Sequence, residues 1–291
     1  MDTDDLQNLA LRTRFMREAG FALLFASGLL TFFLFLPIAP QGITPAPIVI
    51  ATSTVPSAFE QIPLEAKAAI VYDLVLGETL YEKNANAQLP LASLTKLLTV
   101  YAALTELAPS TPITISADAT HLDGPHAFSV GQTFALDDLA RLTLVASLND
   151  GAAAIAITTA LRENRSQHEA LAGAAAALNL SQTYAINGNG LDVNAAISGG
   201  YGSVLDLARL AGALLEKSPT IAAATTQNFA RATSKGGTSF KVKNTDPVIN
   251  TIPRLLLSKT GYTDLAGGNL VLVFDVGVNH PVAVVVLGSS M

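Results

Sequence analysis

Hydrophobic and polar positions divide this 291-residue chain into one long apolar run, a proline-rich stretch and a region of mixed helical and strand patterns. Residues 19–36 are eighteen positions without a charge, and an apolar run of that length spans a bilayer as a helix. Residues 37–64 contain six prolines and no charge before Glu60, which predicts an extended linker. Globular patterning begins near Lys67.

The globular region predicts a hairpin, then helices, then strands. AAIVYDL and ETLYEKN form two predicted strands joined by a short Leu-Gly turn, and ITIS is a further short strand. Apolar residues recur at helical spacing in five segments, namely 93–107, 135–146, 151–161, 168–180 and 203–217. The segment 151–161 is apolar on nearly every face, which predicts a buried helix.

The last third of the chain is rich in strand patterns. Its predicted strands are FARATS, FKVKN, RLLLSKTG, NLVLVFDVG and PVAVVVLG. Several of these runs are continuously apolar, which favours a sheet covered by helices on both faces. The order of elements therefore predicts an α+β fold in which distant parts of the chain complete one sheet.

Composition narrows the function classes. The net charge is -6 and no basic run tracks phosphates, so we expect no nucleic-acid partner. The chain lacks cysteine, which excludes disulfides and thiolate chemistry and is compatible with an exported domain. His121 and His126 lie in a stretch rich in Asp, Gly and Pro that is typical of a loop, so we expect no metal and no cofactor.

Arginines flank the apolar run on its N-terminal side. Arg12, Arg14 and Arg17 place residues 1–18 in the cytoplasm as a tail, with 19–36 as a single transmembrane helix or signal anchor. The globular domain then lies outside the cytoplasmic membrane. A cleaved signal peptide, which would release the domain after export, is the alternative. No clean A-x-A site follows the run, and prolines crowd the region where cleavage would occur.

Three short motifs occur once each, in a fixed order. They are Ser93-Leu94-Thr95-Lys96, Ser147-Leu148-Asn149 and Lys259-Thr260-Gly261. Helical positions three apart share a face, so Ser93 and Lys96 can meet. A serine hydroxyl needs an adjacent base, and Lys96 can be that base only when it is partly neutral. Burial and a second cation, for which Lys259 is the candidate, would both lower the pKa of Lys96.

The other two motifs predict the walls of a cleft. Ser147 and Asn149 fall in a turn between two helices, where Ser147 could pass a proton to a leaving amine and Asn149 could hold a substrate amide or position the base. Lys259 and Thr260 offer a cation and a hydroxyl to a substrate carboxylate. Gly261 would let a peptide pair along the strand edge. Taken singly, each motif also fits simple helix capping or a strand end.

The combination resembles the serine penicillin-recognising enzymes, and among them the low-molecular-weight penicillin-binding proteins, which are D-alanyl-D-alanine carboxypeptidases and endopeptidases. The segments that carry the resemblance are PLASLTKLLT, LVASLNDGA, NGNGLD, YGSVLDLARL and SKTGYTDLAGGNL. The resemblance covers roughly residues 65–290, which is essentially the whole globular region. NGNGLD is interpreted as a structural turn. Leu148, where many relatives have glycine, is expected to narrow the cleft.

The resemblance implies a β-lactamase/transpeptidase-like fold, with an antiparallel sheet and a helical subdomain. It implies catalytic Ser93, Lys96 and Ser147, and an oxyanion hole from the backbone N–H groups of Ser93 and Tyr262. The implied substrate is a peptidoglycan stem peptide ending in D-Ala-D-Ala, and β-lactams are implied covalent inhibitors. Relatives usually continue with a helix on the sheet, and we expect residues 65–291 to lack it.

A serine-type D-Ala-D-Ala carboxypeptidase is therefore the predicted activity, with a DD-endopeptidase as the nearest alternative. A class A-like β-lactamase would need a glutamate in a Glu-x-x-Leu-Asn setting, and Glu163, Glu169 and Glu216 lack that pattern. A non-catalytic wall-binding module is the remaining alternative. The intact Ser93 and Lys96 argue against it.

Overall fold

The computed structural model describes residues 3–34 and 63–290. The chain divides into two units, Met1–Ser57 and Ala58–Met291. Most of the predicted linker, 37–64, lies outside the described residues.

The N-terminal unit contains one helix, α1, over Thr3–Leu34. The apolar run begins only at residue 19, so the helix also includes much of the polar segment that we expected to be a separate tail. Its stretch Thr13–Phe32 has a mean hydropathy of 1.3 and no buried share, and is long and apolar enough to cross a membrane. A signal sequence near an N-terminus would have the same features.

The larger unit contains seven further helices and twelve strands among its described residues. The helices are α2 Thr95–Glu106, α3 Ala117–Thr120, α4 Leu136–Ala146, α5 Asn149–Glu163, α6 Gln167–Ala177, α7 Val204–Lys217 and α8 Pro219–Ala224. The strands are β1 Ala68–Asp73, β2 Glu78–Lys83, β3 Leu89–Pro90, β4 Pro112–Thr114, β5 Thr133–Ala135, β6 Tyr184–Ala185, β7 Gly200–Gly202, β8 Phe229–Thr233, β9 Ser239–Lys243, β10 Leu255–Thr263, β11 Gly267–Asp275 and β12 Pro281–Ser289.

Five strands form one antiparallel sheet in the order β10-β11-β12-β1-β2. Strand β1 pairs with β12 in a register that runs from Ala68 opposite Leu287 to Asp73 opposite Val282. The predicted completion of one sheet by distant parts of the chain is thus confirmed. Strand β10, which carries the Lys-Thr-Gly motif, lies at the edge of the sheet.

Helix α7 packs on one face of this sheet against β12 and β1. Residues of β12 that point toward it, such as Ala283 and Val285, are fully buried, whereas the alternating Val284 and Val286 are half-buried. Within residues 63–290, the expected helical cover is therefore found on one face rather than on both. The pattern is that of an antiparallel sheet with unequal faces.

The helical block surrounds α2, which contacts α4, α5, α6 and α7. The predicted burial of 151–161 is confirmed for residues 151–156, which include a run of alanines that allows close helix packing, but not for Leu161, which is 75% exposed. This arrangement holds the N-terminal end of α2 against β10 through the short 3-10 turn Ala92–Leu94.

Strands β8 and β9 form a separate two-stranded hairpin instead of joining the main sheet. Its inner face packs on α4, and Phe240 makes edge-on contacts with Phe128 and Phe134, whose centroids lie 5.3 Å from its own. The sequence pattern predicted β8 and β9 as strands, but not that they pack on α4 through the cluster of Phe128, Phe134 and Phe240. The short helices α3 and α8 were not predicted.

Candidate active site

Ser93 lies in the 3-10 turn Ala92–Leu94, which leads directly into α2. The sequence predicted Ser93 within the first turn of the helix, so it is displaced by a few residues. Ala92 has φ of 49°, a left-handed conformation that costs an L-residue about 1–2 kcal/mol. Ser93 is partly exposed, whereas the side chain of Lys96, one turn later, is fully buried. The nucleophile candidate thus faces solvent above a buried amine.

The amine of Lys96 is held by three oxygen acceptors. Lys96 Nζ donates to Ser93 Oγ at 2.8 Å, to Asn149 Oδ1 at 2.8 Å and to the Asn189 carbonyl oxygen at 2.7 Å. An ammonium has three N–H donors, so its charged form is saturated by these contacts. In its neutral form the amine has a lone pair within reach of the Ser93 hydroxyl.

Burial lowers the pKa of Lys96 well below its ordinary value, and the positive charge of Lys259 lowers it further. The carboxylate of Asp150 acts in the opposite direction. Desolvation disfavours the charged amine, which is the condition that the proposed base requires.

Ser147 and Asn149 flank the boundary between two helices. Ser147 ends α4 in a left-handed conformation with φ of 58°, and Asn149 is the first residue of α5 rather than part of the turn. Asn149 Nδ2 donates to the Asp123 carbonyl oxygen at 2.7 Å, which fixes its Oδ1 toward Lys96. Leu148 is 4% exposed and belongs to the hydrophobic core, so the expectation that it narrows the cleft is wrong.

Lys259 is the second buried amine of the site. Its Nζ donates to Ser147 Oγ at 2.9 Å and to the Thr260 carbonyl oxygen at 2.7 Å. Burial lowers the pKa of Lys259 to about 7. The charge of Lys259 thus acts on the protonation of Lys96, and each lysine has a serine hydroxyl among its acceptors.

Strand β10 brings the rest of the third motif to the cleft. Thr260 Oγ1 lies 2.7 Å from Thr245 Oγ1, so two hydroxyls meet beside the motif. A Cβ added to Gly261 would lie 3.2 Å from the Ser93 nitrogen, closer than most such contacts. The missing side chain thus allows the strand to approach the 3-10 turn, a role that the sequence did not indicate, and pairing of a peptide along this edge stays a prediction. Tyr262 is 49% exposed.

Comparison with known proteins agrees with this arrangement. The model of the D-alanyl-D-alanine carboxypeptidase family matches residues 54–291, most of the chain. The chain belongs to this family of serine-type hydrolases. The family and the fold predicted from the three motifs are thereby confirmed.

Several proteins resemble this family member. A D-alanyl-D-alanine endopeptidase of Pseudomonas aeruginosa is 29% identical over 231 residues, which are 78% of this chain and 72% of that protein. The carboxypeptidase DacF of Bacillus subtilis is 29% identical over 206 residues, which are 68% of this chain but only 51% of that protein. Penicillin-binding protein D2 of Listeria monocytogenes is 27% identical, with a TM-score of 0.66 over 79% of this chain and 92% of that one.

One contact of this carboxypeptidase-family site was missed by the sequence analysis. The loop 187–192, which we interpreted as a turn, supplies the Asn189 carbonyl to Lys96. Thr99 Oγ1 donates to the Gly188 carbonyl at 2.7 Å and fixes the loop on α2. A backbone acceptor has no side-chain signature, so the repeated Asn-Gly pairs were the only available signal, and they indicate a turn equally well.

The same loop also ties the site to the end of β10. Asp192 Oδ1 accepts from Thr263 Oγ1 at 3.0 Å, and Asp192 Oδ2 accepts from the Leu265 amide at 3.4 Å. One short segment thereby connects the Lys96 side of this family's cleft with the Lys259 side.

Proposed function

We propose that this chain is a D-Ala-D-Ala carboxypeptidase that removes the terminal D-alanine from peptidoglycan stem peptides through an acyl-enzyme on Ser93. One observation carries the proposal: the Nζ of fully buried Lys96 lies 2.8 Å from Ser93 Oγ. A serine becomes nucleophilic when such a base takes its proton.

In the proposed reaction, neutral Lys96 accepts the hydroxyl proton as Ser93 Oγ bonds to the carbonyl carbon of the penultimate D-alanine. The backbone N–H groups of Ser93 and Tyr262 would stabilise the oxyanion. The C–N bond then breaks, and Ser147 delivers a proton to the leaving amine. Water later attacks the ester, which restores the hydroxyl and releases the shortened peptide.

Lys259 and Thr260 have the chemistry to bind the carboxylate of the leaving D-alanine. Because the pKa of Lys259 is lowered to about 7, an incoming carboxylate would favour its charged form. A proton on Lys259 would in turn keep Lys96 neutral, because adjacent like charges disfavour each other. Asn149 is assigned to substrate binding and to positioning of Lys96.

A DD-endopeptidase is the second candidate, since the Pseudomonas aeruginosa relative carries that name. Cleavage of a cross-link and removal of a terminal D-alanine would use the same residues and the same acyl-enzyme. The two activities differ in what is attached to the leaving amine.

A β-lactamase with a glutamate-activated water receives no support from the site. Glu169 caps α6 by accepting from the Ser166 amide at 2.9 Å, and Glu163 pairs with Arg165 at 3.2 Å. We therefore expect penicillin to acylate Ser93 and the acyl-enzyme to be hydrolysed slowly. The Listeria monocytogenes neighbour is known in an ampicillin-bound form, which supports β-lactams as ligands of this fold.

We further propose that α1 anchors residues 65–291 outside the cytoplasmic membrane through the linker 37–64, with a cytoplasmic tail before the span. Its apolar stretch Thr13–Phe32 supports this placement, and a cleaved signal is the alternative. Recovery of the full-length protein in the detergent-soluble membrane fraction would distinguish the anchor from the signal.

Mass spectrometry after exposure to penicillin tests the activity. We expect one covalent adduct on Ser93, lost in Ser93→Ala and retained in the control Ser116→Ala, which alters a helix cap elsewhere. Free D-alanine released from a pentapeptide is then compared with cleavage of a cross-linked dimer. Cleavage of the dimer alone would establish the endopeptidase. If the folded protein formed no adduct, the non-catalytic wall-binding module would be the favoured function.

A further inference from the structure

The hairpin formed by β8 and β9 has two chemically different faces. Ala230, Phe240 and Val242 point inward to the core or are packed against it. The alternating residues point outward and are exposed, and they include Arg231, Lys241 and Lys243. In the antiparallel register Arg231 lies opposite Lys241, so these cations share one surface. We call Phe229, Arg231, Lys241 and Lys243 the basic hairpin face.

This concentration of positive charge is unusual for the chain. The net charge is -6, yet residues 218–245 contain Arg231, Lys235, Lys241 and Lys243 and no aspartate or glutamate. The nearest acidic residue in sequence, Asp246, is buried and accepts a bond from Ser258 Oγ. Across residues 63–290, the ion pairs found at other sites include none of these four cations. Their charges are therefore available to a partner.

The basic hairpin face adjoins the candidate active site. Two residues after Lys243, Thr245 contacts the Thr260 hydroxyl at 2.7 Å, and its amide donates to the Val145 carbonyl. At about 3.3 Å per residue, the face begins about 7 Å along the chain from that contact and extends for about 17 Å. A chain that leaves the cleft on this side would pass over the cations.

An exposed aromatic ring gives the face a second property. Phe229 is 43% exposed, and Lys241 Nζ lies 4.2 Å from its ring centroid. The ring offers an apolar surface beside cations, a combination suited to a ligand with carboxylates and the apolar faces of sugar rings. A stem peptide attached to its glycan strand has both features.

We infer that the basic hairpin face binds a carboxylate-bearing stem peptide and its attached glycan in the polymeric cell wall, beyond the bond that is cleaved. The inference rests on the proposed function, whose substrate it extends from a short peptide to the polymer. Exposed charges at the rim of an interface act mainly on the association rate and its salt dependence. The face therefore increases the affinity for wall material without taking part in the chemistry.

The test uses the full-length protein and the triple variant Arg231→Gln, Lys241→Gln, Lys243→Gln. The matched control removes the same residue types and the same charge at exposed positions outside the hairpin, Arg162→Gln, Lys67→Gln, Lys217→Gln. Binding to purified sacculi is measured by co-sedimentation at about 50 mM and about 500 mM salt, between which electrostatic screening strengthens severalfold. Penicillin acylation and D-alanine release from a short neutral peptide are measured alongside.

We expect the hairpin variant to bind sacculi about tenfold more weakly at low salt, with the difference disappearing at high salt and both reactions unchanged. Equal sacculus binding by the hairpin variant and the wild type, or an equal loss in the control, would overturn the inference. Binding to phosphatidylglycerol vesicles is measured in the same way. If the hairpin variant lost binding only to these vesicles and not to sacculi, the partner would be a membrane and the inference would be wrong. Failure of the proposed function would appear separately, as absent D-alanine release in the wild type.

Discussion

The substitution Asn149→Asp tests whether Lys96 is the general base. It replaces the amide oxygen that accepts from Lys96 Nζ at 2.8 Å with a carboxylate oxygen of nearly the same shape. At that distance and an effective dielectric constant of about 20, the attraction to the charged amine is about 6 kcal/mol, equivalent to about 4 pKa units. Measured pKa shifts caused by an adjacent opposite charge are about 1–3 units, so we expect the pKa of Lys96 to rise by about 2 units.

The sign of the shift is fixed. A carboxylate stabilises the protonated amine, so it raises the pKa of Lys96 and reduces the neutral fraction at a given pH. Two units reduce that fraction about 100-fold on the acid side of the profile. Acylation should fall by that factor wherever the pH lies below the wild-type pKa of Lys96, and the rate should recover as the pH is raised.

The assay is the second-order rate constant for acylation by a fluorescent penicillin between about pH 6 and 10, with circular dichroism as a check on folding. Asn149→Ala is the control, since it removes the same acceptor and the bond to Asp123 without adding a charge. The acylation rate of Asn149→Ala should fall at every pH, but the pH at which the rate begins to drop on the acid side should not move upward. Identical limbs in Asn149→Asp and the wild type would refute Lys96 as the base.

Three further substitutions test two contacts that stabilise the fold and the hydrogen bonds that join the loop 187–192 to the end of β10. Gly190→Ala should destabilise the domain by several kcal/mol more than Gly131→Ala, because both have positive φ but only the first Cβ overlaps another segment; urea unfolding should separate them. Asp73 Oδ2 lies 2.6 Å from His280 Nε2, and this hydrogen bond is the main cause that lowers the pKa of the Asp73 carboxyl. The stabilisation that results is present above about pH 3.9 and is lost as the pH falls through the lower pKa of the folded state. The difference in Tm between wild type and Asp73→Asn should narrow below about pH 4, and a constant difference would contradict the assignment. Asp192→Ala should slow acylation about tenfold with an unmoved acid limb, because the loop and the strand end lose alignment; an unchanged rate would show that this tie is dispensable.

The sequence predicted what depends on local spacing. Ser93 and Lys96 are three residues apart on a helical turn, so their contact follows from the backbone geometry. The strand patterns likewise predicted β10, β11 and β12 to within a few residues. The order of the three motifs also predicted that Lys259 lies near Ser93 and Lys96. The charge of Lys259 is close enough to lower the pKa of Lys96.

Contacts that depend on the path of the backbone were not predictable. The Asn189 carbonyl reaches Lys96 from 93 residues away and leaves no trace in residue type. Leu148 was assigned to the cleft, but the left-handed Ser147 turns it into the core. The close approach of Gly261 to the Ser93 amide likewise depends on how β10 and the 3-10 turn meet, and residue type alone did not indicate it.

The pairing of β1 with β12 has a consequence for how the enzyme is made. Ala68 and Leu287 must meet across more than 200 residues, so the middle of the sheet forms only when both ends of the domain are present. Such long-range pairing makes folding slow and leaves apolar strands transiently exposed. In a chain synthesised N-terminus first, β1 therefore remains without its partner until residues 281–289 have been made. Ser93 likewise lacks the neighbouring strand β10 until residues 255–263 have been made, so the candidate active site is completed only late in folding.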